Sequence, residues 1–105
     1  MNMGELQARA LRAAGLLKAM ANPVRLMVLC QRAEGEKAVG ELEKEVEVSQ
    51  SALSQHLAVL RARGLVRARR AGQSIYYSLD GAEAPALLAA LYEVYCRKVA
   101  KPRAR

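Results

Sequence analysis

Two cysteines, Cys30 and Cys96, carry the side chains in this sequence best suited to covalent chemistry. A thiol reacts as its thiolate, which neighbouring cations stabilise and apolar burial disfavours. Cys96 precedes Arg97 and Lys98, so its surroundings favour a partly exposed, reactive thiolate. Cys30 ends the apolar run VRLMVLC, which favours a buried thiol that packs as a small hydrophobic group.

The other side chains form no catalytic arrangement. His56 is the only histidine, no Gly-rich phosphate loop is present, and no Cys/His pair has a helpful spacing. A lone histidine cannot complete a metal site. We therefore expect neither enzymatic activity nor a cofactor.

A second group of side chains has the chemistry of nucleic-acid recognition. The segment from Ser49 to Leu79 contains arginines but no aspartate or glutamate. Glutamine can pair with adenine through two hydrogen bonds, serine can serve a base or a phosphate, and arginine suits phosphates or a narrow minor groove. A capped, solvated helix start is also rich in serine, but the basic segment that follows favours DNA binding. The predicted DNA-binding residues are Ser49, Gln50, Ser51, Ser54, Gln55, His56, Arg61, Arg67, Arg69, Arg70 and Gln73.

Hydrophobic periodicity and capping residues predict the elements that position these side chains. Four helices come first, then a hairpin of two strands, then a last helix capped by Asp80. The predicted ranges are Glu5–Met20, Pro23–Arg32 with Asn22 as N-cap, a polar loop over residues 33–37, Ala38–Val46, a helix capped by Ser49 that reaches Arg63 before Gly64, strands Leu65–Arg70 and Ser74–Leu79 joined by Ala71–Gln73, Ala82–Ala100, and a basic tail, Lys101–Arg105.

This order, ααααββα, predicts a mainly α fold with a β-hairpin wing, the winged helix-turn-helix. In that motif the second of two helices enters the major groove and its N-terminal residues meet base edges. Here that helix is the one capped by Ser49. His56 falls between its apolar and polar faces, so we expect His56 to have a structural or phosphate-positioning role. The apolar face of the helix carries Leu53, Leu57 and Leu60, and the opposite face carries Ser51, Ser54, Gln55, Ala58 and Arg61.

Length and composition predict a single domain over residues 1–105. This length supports one core but not two, and 52% hydrophobic residues without Phe or Trp favour packed helices. The net charge of +7 indicates a polyanionic partner, with a merely basic surface as the alternative. No apolar run is long enough to span a membrane, and two cysteines are too few for a secreted disulfide scaffold, so we predict a cytoplasmic location.

The segment SQSALSQHLAVLRARGLVRARRAGQSIYYSL, residues 49–79, resembles the DNA-binding half of the ArsR family of small homodimeric winged-helix repressors. The preceding MANPVRLMVL, residues 20–29, is typical of the second helix in that family, so the resemblance covers nearly the whole chain. It implies double-stranded operator DNA as a partner, and a homodimer formed by the first and last helices. The apolar stripes available for that pairing are Leu6, Ala10, Ala13 and Leu17 with Leu87, Leu91, Val94 and Tyr95.

The family divides by what its members sense. Arsenical sensors carry a Cys-x-Cys pair near the start of the third helix, where Ala38–Leu42 has no thiol, and zinc and nickel sensors use histidines on a last helix that here has none. The cysteines in NPVRLMVLC and LYEVYC resemble those of the persulfide-sensing branch, the BigR and SqrR type. This implies a repressor that leaves its operator when reactive sulfur species link Cys30 and Cys96 within one chain, through a disulfide or polysulfide. The neighbouring cations favour Cys96 as the attacking thiol and Cys30 as the resolving one.

Other functions remain open from the sequence. The chain could be an ArsR-type repressor gated by general oxidants or by a metal, with the cysteines as thiol switch or ligands. It could also be an ungated DNA-packaging or dimerisation module.

Overall fold

Within residues 1–33 and 35–96, which the computed structural model describes, five helices and three strands follow one another in the order ααβααββα. The winged helix-turn-helix predicted from the sequence is confirmed, with one strand more than predicted. The elements are α1 Met3–Met20, α2 Pro23–Arg32, β1 Lys37–Ala38, α3 Val39–Val46, α4 Gln50–Ala62, β2 Val66–Ala71, β3 Ser74–Leu79 and α5 Glu83–Tyr95.

The additional strand, β1, pairs antiparallel with β3 and gives the sheet the order β1-β3-β2. Lys37 lies opposite Tyr77 and Ala38 opposite Tyr76. The prediction that Lys37 lies in a loop and Ala38 in a helix is therefore wrong. A strand of two residues has no alternation of its own, and this one pairs with the edge of β3, whose N–H and C=O groups are otherwise open.

The wing is the β2–β3 hairpin, which pairs from Val66 opposite Leu79 to Ala71 opposite Ser74. Its turn contains two residues, Gly72 and Gln73, rather than the three predicted. Gly72 has a φ of 64°, and a two-residue hairpin turn of this kind needs positive φ at its first central position.

The predicted boundaries of α2 and α4 are confirmed by their caps. Asn22 Oδ1 accepts hydrogen bonds from two backbone N–H groups in the first turn of α2, at 3.0 and 3.1 Å. Ser49 Oγ accepts one from the backbone N–H of Ala52 at 3.1 Å. Gly64, just beyond α4, has the positive φ of 73° that favours glycine after a helix.

Asp80 does not cap α5, contrary to the sequence prediction. Its carboxylate accepts a hydrogen bond from the neighbouring Gly81 N–H at 3.0 Å, and Ala82 precedes the helix without a side-chain cap. Gly81 has a φ of 75°, so the chain turns between Asp80 and the helix. The predicted end of this helix at Ala100 and the basic tail lie outside the described residues.

The core lies where α2, α3 and α4 meet the sheet. Leu53, Leu57 and Leu60 of α4 are no more than 2% exposed, as their spacing predicts, and Tyr77 of β3 is also buried. Because three leucines on one side of α4 are buried together, the rotation of this helix about its own axis is fixed. The other buried apolar residues are Ala19, Met20, Val28, Leu29, Leu42, Val46, Leu65, Val66, Ala84 and Leu88.

The charged side chain of Arg32, at the end of α2, is buried as well. Its Nη1 donates to the backbone oxygen of Gly35 at 3.3 Å, and its Nη2 lies 3.7 Å from Glu45 Oε1. Glu45 also pairs with Lys37. These contacts connect the end of α2 to β1 and α3.

Helix α1 is exposed along most of its length, since only Ala19 and Met20 at its C-terminal end are buried. Asn2 and Glu5 close its N-terminus in a reciprocal capping box. Within residues 1–33 and 35–96, no single helix has the length and apolar character that crossing a bilayer requires. Helices α1 and α2 together reach that length and apolar character, but the chain bends by 93° between them.

Arg25 of α2 joins the end of α1 to α4. Its Nε donates to the backbone oxygen of Ala19 at 2.6 Å and its Nη2 to that of Lys18 at 3.4 Å. Its Nη1 lies 3.2 Å from Nδ1 of His56 on α4. Arginine can only donate, so His56 Nδ1 accepts and the ring proton is on Nε2. One guanidinium therefore fixes the end of α1 and the orientation of His56.

Replacing Arg25 with methionine keeps most of the apolar stem but removes these hydrogen bonds. We expect Arg25→Met to lower the free energy of unfolding by about 1–3 kcal/mol, because hydrogen bonds from a charged, partly buried donor are lost. Urea denaturation followed by circular dichroism measures this. Arg61→Met, which removes an exposed arginine of α4, is the control, and equal losses in the two variants would contradict a specific role for Arg25.

Candidate DNA-binding surface and cysteine pair

Helix α4 exposes the polar face that the sequence predicts. Gln50, Ser51, Ser54, Gln55 and Arg61 are all exposed, and Ser51 and Gln55 lie opposite the buried leucines of the helix. No carboxylate belongs to this helix, so its exposed residues, which also include Ala58 and Val59, carry no negative charge. That surface can enter a groove of DNA without repelling the phosphates.

The front of α4 follows a tight connection from α3, as a helix-turn-helix requires. Glu47 ends α3 in the left-handed conformation, with φ 52° and ψ 50°, which turns the chain within a few residues. Ser49 is exposed, and its Oγ is engaged as the acceptor of the N-cap hydrogen bond. Its hydroxyl proton is left to donate, so Ser49 suits a phosphate contact better than base reading.

A cleft of about 250 Å³ lies between α4 and the sheet. Gln50, Ser54 and Arg61 line its helix side, and Ile75 and Tyr77 line its sheet side. The structure thus brings three of the predicted DNA-binding residues of α4 next to strand β3 of the wing.

The wing carries less free positive charge than the sequence suggests. Arg67 Nη1 lies 3.7 Å from Asp80 Oδ1, and Arg69 forms an ion pair with Glu36. Arg70 is exposed beside the turn, and no ion pair to it is found in the part of the chain that the structure describes. Gln73 is exposed in the turn itself. Arg70 and Gln73 are therefore the predicted wing residues most available to DNA.

The Glu36–Arg69 pair is a feature that the sequence analysis missed. Arg69 Nε donates to Glu36 Oε2 at 3.0 Å, and Arg69 Nη2 donates to Oε1 at 2.7 Å. The guanidinium also lies over the Tyr76 ring, 4.9 Å from its centroid. The hydrogen bond from Arg69 holds the pKa of Glu36 below its ordinary value, and the same bond raises the pKa of Arg69. Only the pairing of β1 with β3 reveals this contact, and β1 was not predicted.

His56 is half-buried and bonded to Arg25, which agrees with the structural role expected for it. Because its Nδ1 is an acceptor, its Nε2–H is available to donate. Donation to a phosphate oxygen is the phosphate-positioning role predicted from the sequence.

Both cysteines are exposed thiols in this structure. The interpretation of Cys30 as a buried core thiol is wrong. Val28 and Leu29 face the core, whereas Met27 is 44% exposed and shares its side of the helix with Cys30, three residues further on. An apolar run does not show which of its residues faces out.

Cys30 lies in the last turn of α2, and Cys96 is the C-cap of α5, where its N–H donates to the Tyr92 oxygen at 2.9 Å. Helices α2 and α5 pack against each other. Arg97 and Lys98, the cations expected to stabilise the Cys96 thiolate, lie outside the described residues. Within those residues no group of three or more His, Cys, Asp or Glu side chains could hold a metal ion.

Known proteins resemble this chain over most of its length. The family model "Bacterial regulatory protein, arsR family" matches residues 22–68. The transcriptional activator HlyU of Vibrio cholerae is 46% identical over 97 residues, which are 92% of this chain and 90% of that protein. The biofilm growth-associated repressor of Xylella fastidiosa is 45% identical over 96 residues, 91% of this chain and 84% of that protein.

Solved structures give the same result. Reduced HlyU from Vibrio cholerae superposes with a TM-score of 0.87 at 45% identity, over 90% of this chain and all of that one. The repressor BigR from Xylella fastidiosa gives 0.83 at 44% identity, over 93% and 100% of the two chains. The homodimeric winged helix-turn-helix domain of Mb0332 from Mycobacterium bovis gives 0.77 at 32% identity, over 89% and 86%. The chain therefore belongs to the ArsR family of bacterial DNA-binding regulatory proteins, and it is a transcriptional regulator rather than an enzyme.

Proposed function

We propose that this regulator is a homodimeric repressor that holds operator DNA while its thiols are reduced and releases the DNA when Cys30 and Cys96 are bridged. The observation that carries the proposal is the position of the two cysteines. Both thiols are exposed, and they lie on α2 and α5, two helices that pack against each other. Helix α2 packs against α4, and helix α5 ends in an exposed apolar segment that contains Val94 and Tyr95.

DNA docking rests on the exposed face of α4 and on the tip of the wing. Gln50, Ser54 and Gln55 present hydrogen-bonding groups for base edges, and Arg70 and Gln73 reach the backbone or minor groove beside them. Ser49, Ser51, His56 and the arginines at 61, 67 and 69 act on phosphates. The net charge of +7 per chain draws the protein to DNA and makes binding sensitive to salt.

Dimerisation is supported by the apolar surface that one chain leaves uncovered. Leu6 and Leu17 of α1 are 46% and 53% exposed, and Val94 and Tyr95 of α5 are 70% and 80% exposed. An apolar surface of this kind normally marks an interface. A second copy of the chain is the proposed partner, in line with the description of the related Mb0332 domain as homodimeric.

The bridge forms through two exchange reactions. One thiolate takes the outer sulfur of a low-molecular-weight persulfide, RSSH, so that a protein persulfide forms and the thiol RSH leaves. The second thiolate attacks the inner sulfur of that protein persulfide, which forms the disulfide and releases hydrogen sulfide. When a second RSSH has converted the other thiol to a persulfide as well, the terminal sulfur of one persulfide attacks the inner sulfur of the other, which forms a trisulfide and releases hydrogen sulfide. Cys96 as attacking thiol and Cys30 as resolving thiol is the proposed order.

Bridging changes DNA affinity because α2 lies between the dimer helices and α4. Arg25 of α2 is bonded to the end of α1 and to His56 of α4, so a displacement of α2 reaches both. A dimer must match two half-sites about one helical turn apart. A hundredfold loss of affinity requires only about 2.7 kcal/mol of difference between the DNA-competent and bridged states.

The dimer interface can be tested with two identical substitutions on α1. Ala10 lies on the stripe with Leu6 and Leu17, and Ala8 lies on the opposite face. We expect Ala10→Glu to weaken dimerisation at least about tenfold, because it buries an unpaired carboxylate, and Ala8→Glu to leave it unchanged. Sedimentation equilibrium at micromolar concentration measures both. A monomeric wild type, or equal effects of the two variants, would contradict the proposed interface.

We expect the contacts of α4 to depend on the base sequence of the DNA and the contacts of the wing to be independent of it. Gln55→Ala should reduce the preference for operator over mixed-sequence DNA by about 1–3 kcal/mol, because a base contact is lost. Arg70→Ala should weaken binding to both DNAs about equally, as the loss of a phosphate contact does. Fluorescence polarisation with both duplexes separates the two effects. The roles would be reversed if Arg70→Ala lowered affinity for the operator alone and Gln55→Ala lowered affinity for both duplexes equally.

The thiol switch predicts a reversible loss of DNA binding. Treatment with glutathione persulfide should link Cys30 to Cys96 within one chain, observed by mass spectrometry of peptides, and lower operator affinity until a reductant is added. Cys30→Ser and Cys96→Ser should each bind DNA without responding. Peroxide and Zn²⁺ are the comparison treatments for a general oxidant or metal gate. Persulfide-dependent release by the Cys30→Ser/Cys96→Ser double variant would leave both cysteines without a sensing role.

A further inference from the structure

The outer face of the three-stranded sheet brings a carboxylate from a distant part of the chain to the wing. Ala38 of β1 lies opposite Tyr76 of β3, and Tyr76 lies opposite Arg69 of β2. Glu36 is two residues before Ala38 and so belongs to the same face. Its carboxylate reaches across Tyr76 to the guanidinium of Arg69.

Glu36 binds Arg69 in the way that a phosphate would. The two carboxylate oxygens accept from Nε and Nη2 of the guanidinium at 3.0 and 2.7 Å. Arginine forms such paired hydrogen bonds with carboxylates and with phosphates through the same planar edge. A phosphate oxygen pair can therefore engage this edge of Arg69 only when Glu36 has left it.

The strength of the pair allows such an exchange. The side chain of Arg69 is 57% exposed and that of Glu36 is 34% exposed, so water and salt screen their attraction. Exposed ion pairs of this kind are weak enough to open when another anion competes. The Tyr76 ring 4.9 Å from the guanidinium keeps Arg69 on the outer face of the sheet while it changes partners.

We propose that Glu36 is an internal competitor for the DNA phosphate that Arg69 contacts. The carboxylate holds the guanidinium in the free protein, and binding of DNA requires the exchange of one anion for the other. Glu36 thereby sets the affinity for DNA of any sequence, without reading a base. This proposal rests on the proposed function, because it requires that the wing meets DNA.

The test uses Glu36→Gln, which keeps the size of the side chain and removes its charge. We expect affinity for a mixed-sequence duplex of about 30 base pairs, long enough for two half-sites, to rise about two- to fivefold. The log–log salt dependence should steepen by up to about 0.9. Fluorescence polarisation over a range of salt concentrations measures both quantities on the full-length protein.

Two further variants make the test specific. In an Arg69→Gln background the Glu36→Gln substitution should give less than half of its gain in the wild type, because the competition for Arg69 is absent and only the change in net charge remains. Glu43→Gln, which removes a carboxylate of α3 and changes the net charge by the same amount, should give less than half of the Glu36→Gln gain in fold terms.

Three results would overturn the proposal: an unchanged or lower affinity for Glu36→Gln, an equal gain without Arg69, or an equal gain from Glu43→Gln. If the wild type instead binds no duplex at low salt, the proposed DNA-binding surface fails together with this one. If the wild type binds DNA in a salt-dependent way but Glu36→Gln does not bind more tightly, the role of Glu36 is rejected and the proposed DNA-binding surface is retained.

Discussion

The burial of three leucines along one side of α4 is the constraint on which the rest of this structure depends. Leu53, Leu57 and Leu60 are sealed against the core, and their removal from water supplies several kcal/mol that no other rotation of α4 would recover. The exposed serines and glutamines need no interaction of their own to point outward. The orientation of the surface proposed to meet DNA is thus determined by the leucines that the same helix buries.

The remaining elements place this helix relative to its neighbours. Asn22 and Ser49 fix where α2 and α4 begin, and Arg25 joins the end of α1 to His56 on α4. The helices proposed to form the dimer and to read DNA are therefore connected through α2 by the hydrogen bonds of one side chain, Arg25. A chemical change on α2 can therefore act on both parts, which is the physical basis of the thiol switch that we propose.

Sequence patterns were sufficient wherever a local rule decides the structure. The 3.6-residue spacing of the leucines predicted the outer face of α4, and the capping preferences of Asn22, Ser49 and Gly64 predicted helix boundaries. Long-range contacts were beyond those rules. The pairing of β1 with β3 joins Ala38 to Tyr76, 38 residues further along the chain, and the Glu36–Arg69 contact that depends on this pairing spans 33 residues. Neither contact has a local signal in the sequence.

The cysteines illustrate a different limit. Cys30 stands in a run so uniformly apolar that periodicity cannot distinguish the buried side of α2 from the exposed one, and the structure exposes it together with Met27. Asp80 shows the same limit for capping, since a favourable residue type near a helix start does not cap when a glycine turn intervenes. In both cases the residue type indicated what the side chain can do, but the sequence did not show in which direction the side chain points.

The contacts of Arg32 have a consequence for how the cysteine-bearing end of α2 moves. The last turn of a helix commonly frays, and a strained end then relaxes by local melting. Here the guanidinium is buried and held by Gly35 and Glu45, so the turn that contains Cys30 is anchored two residues further on. Amide protons of that turn should exchange slowly with solvent, and force applied at the thiol is passed on as a rigid tilt of the helix. The end of α2 therefore moves together with the rest of the helix as one rigid body.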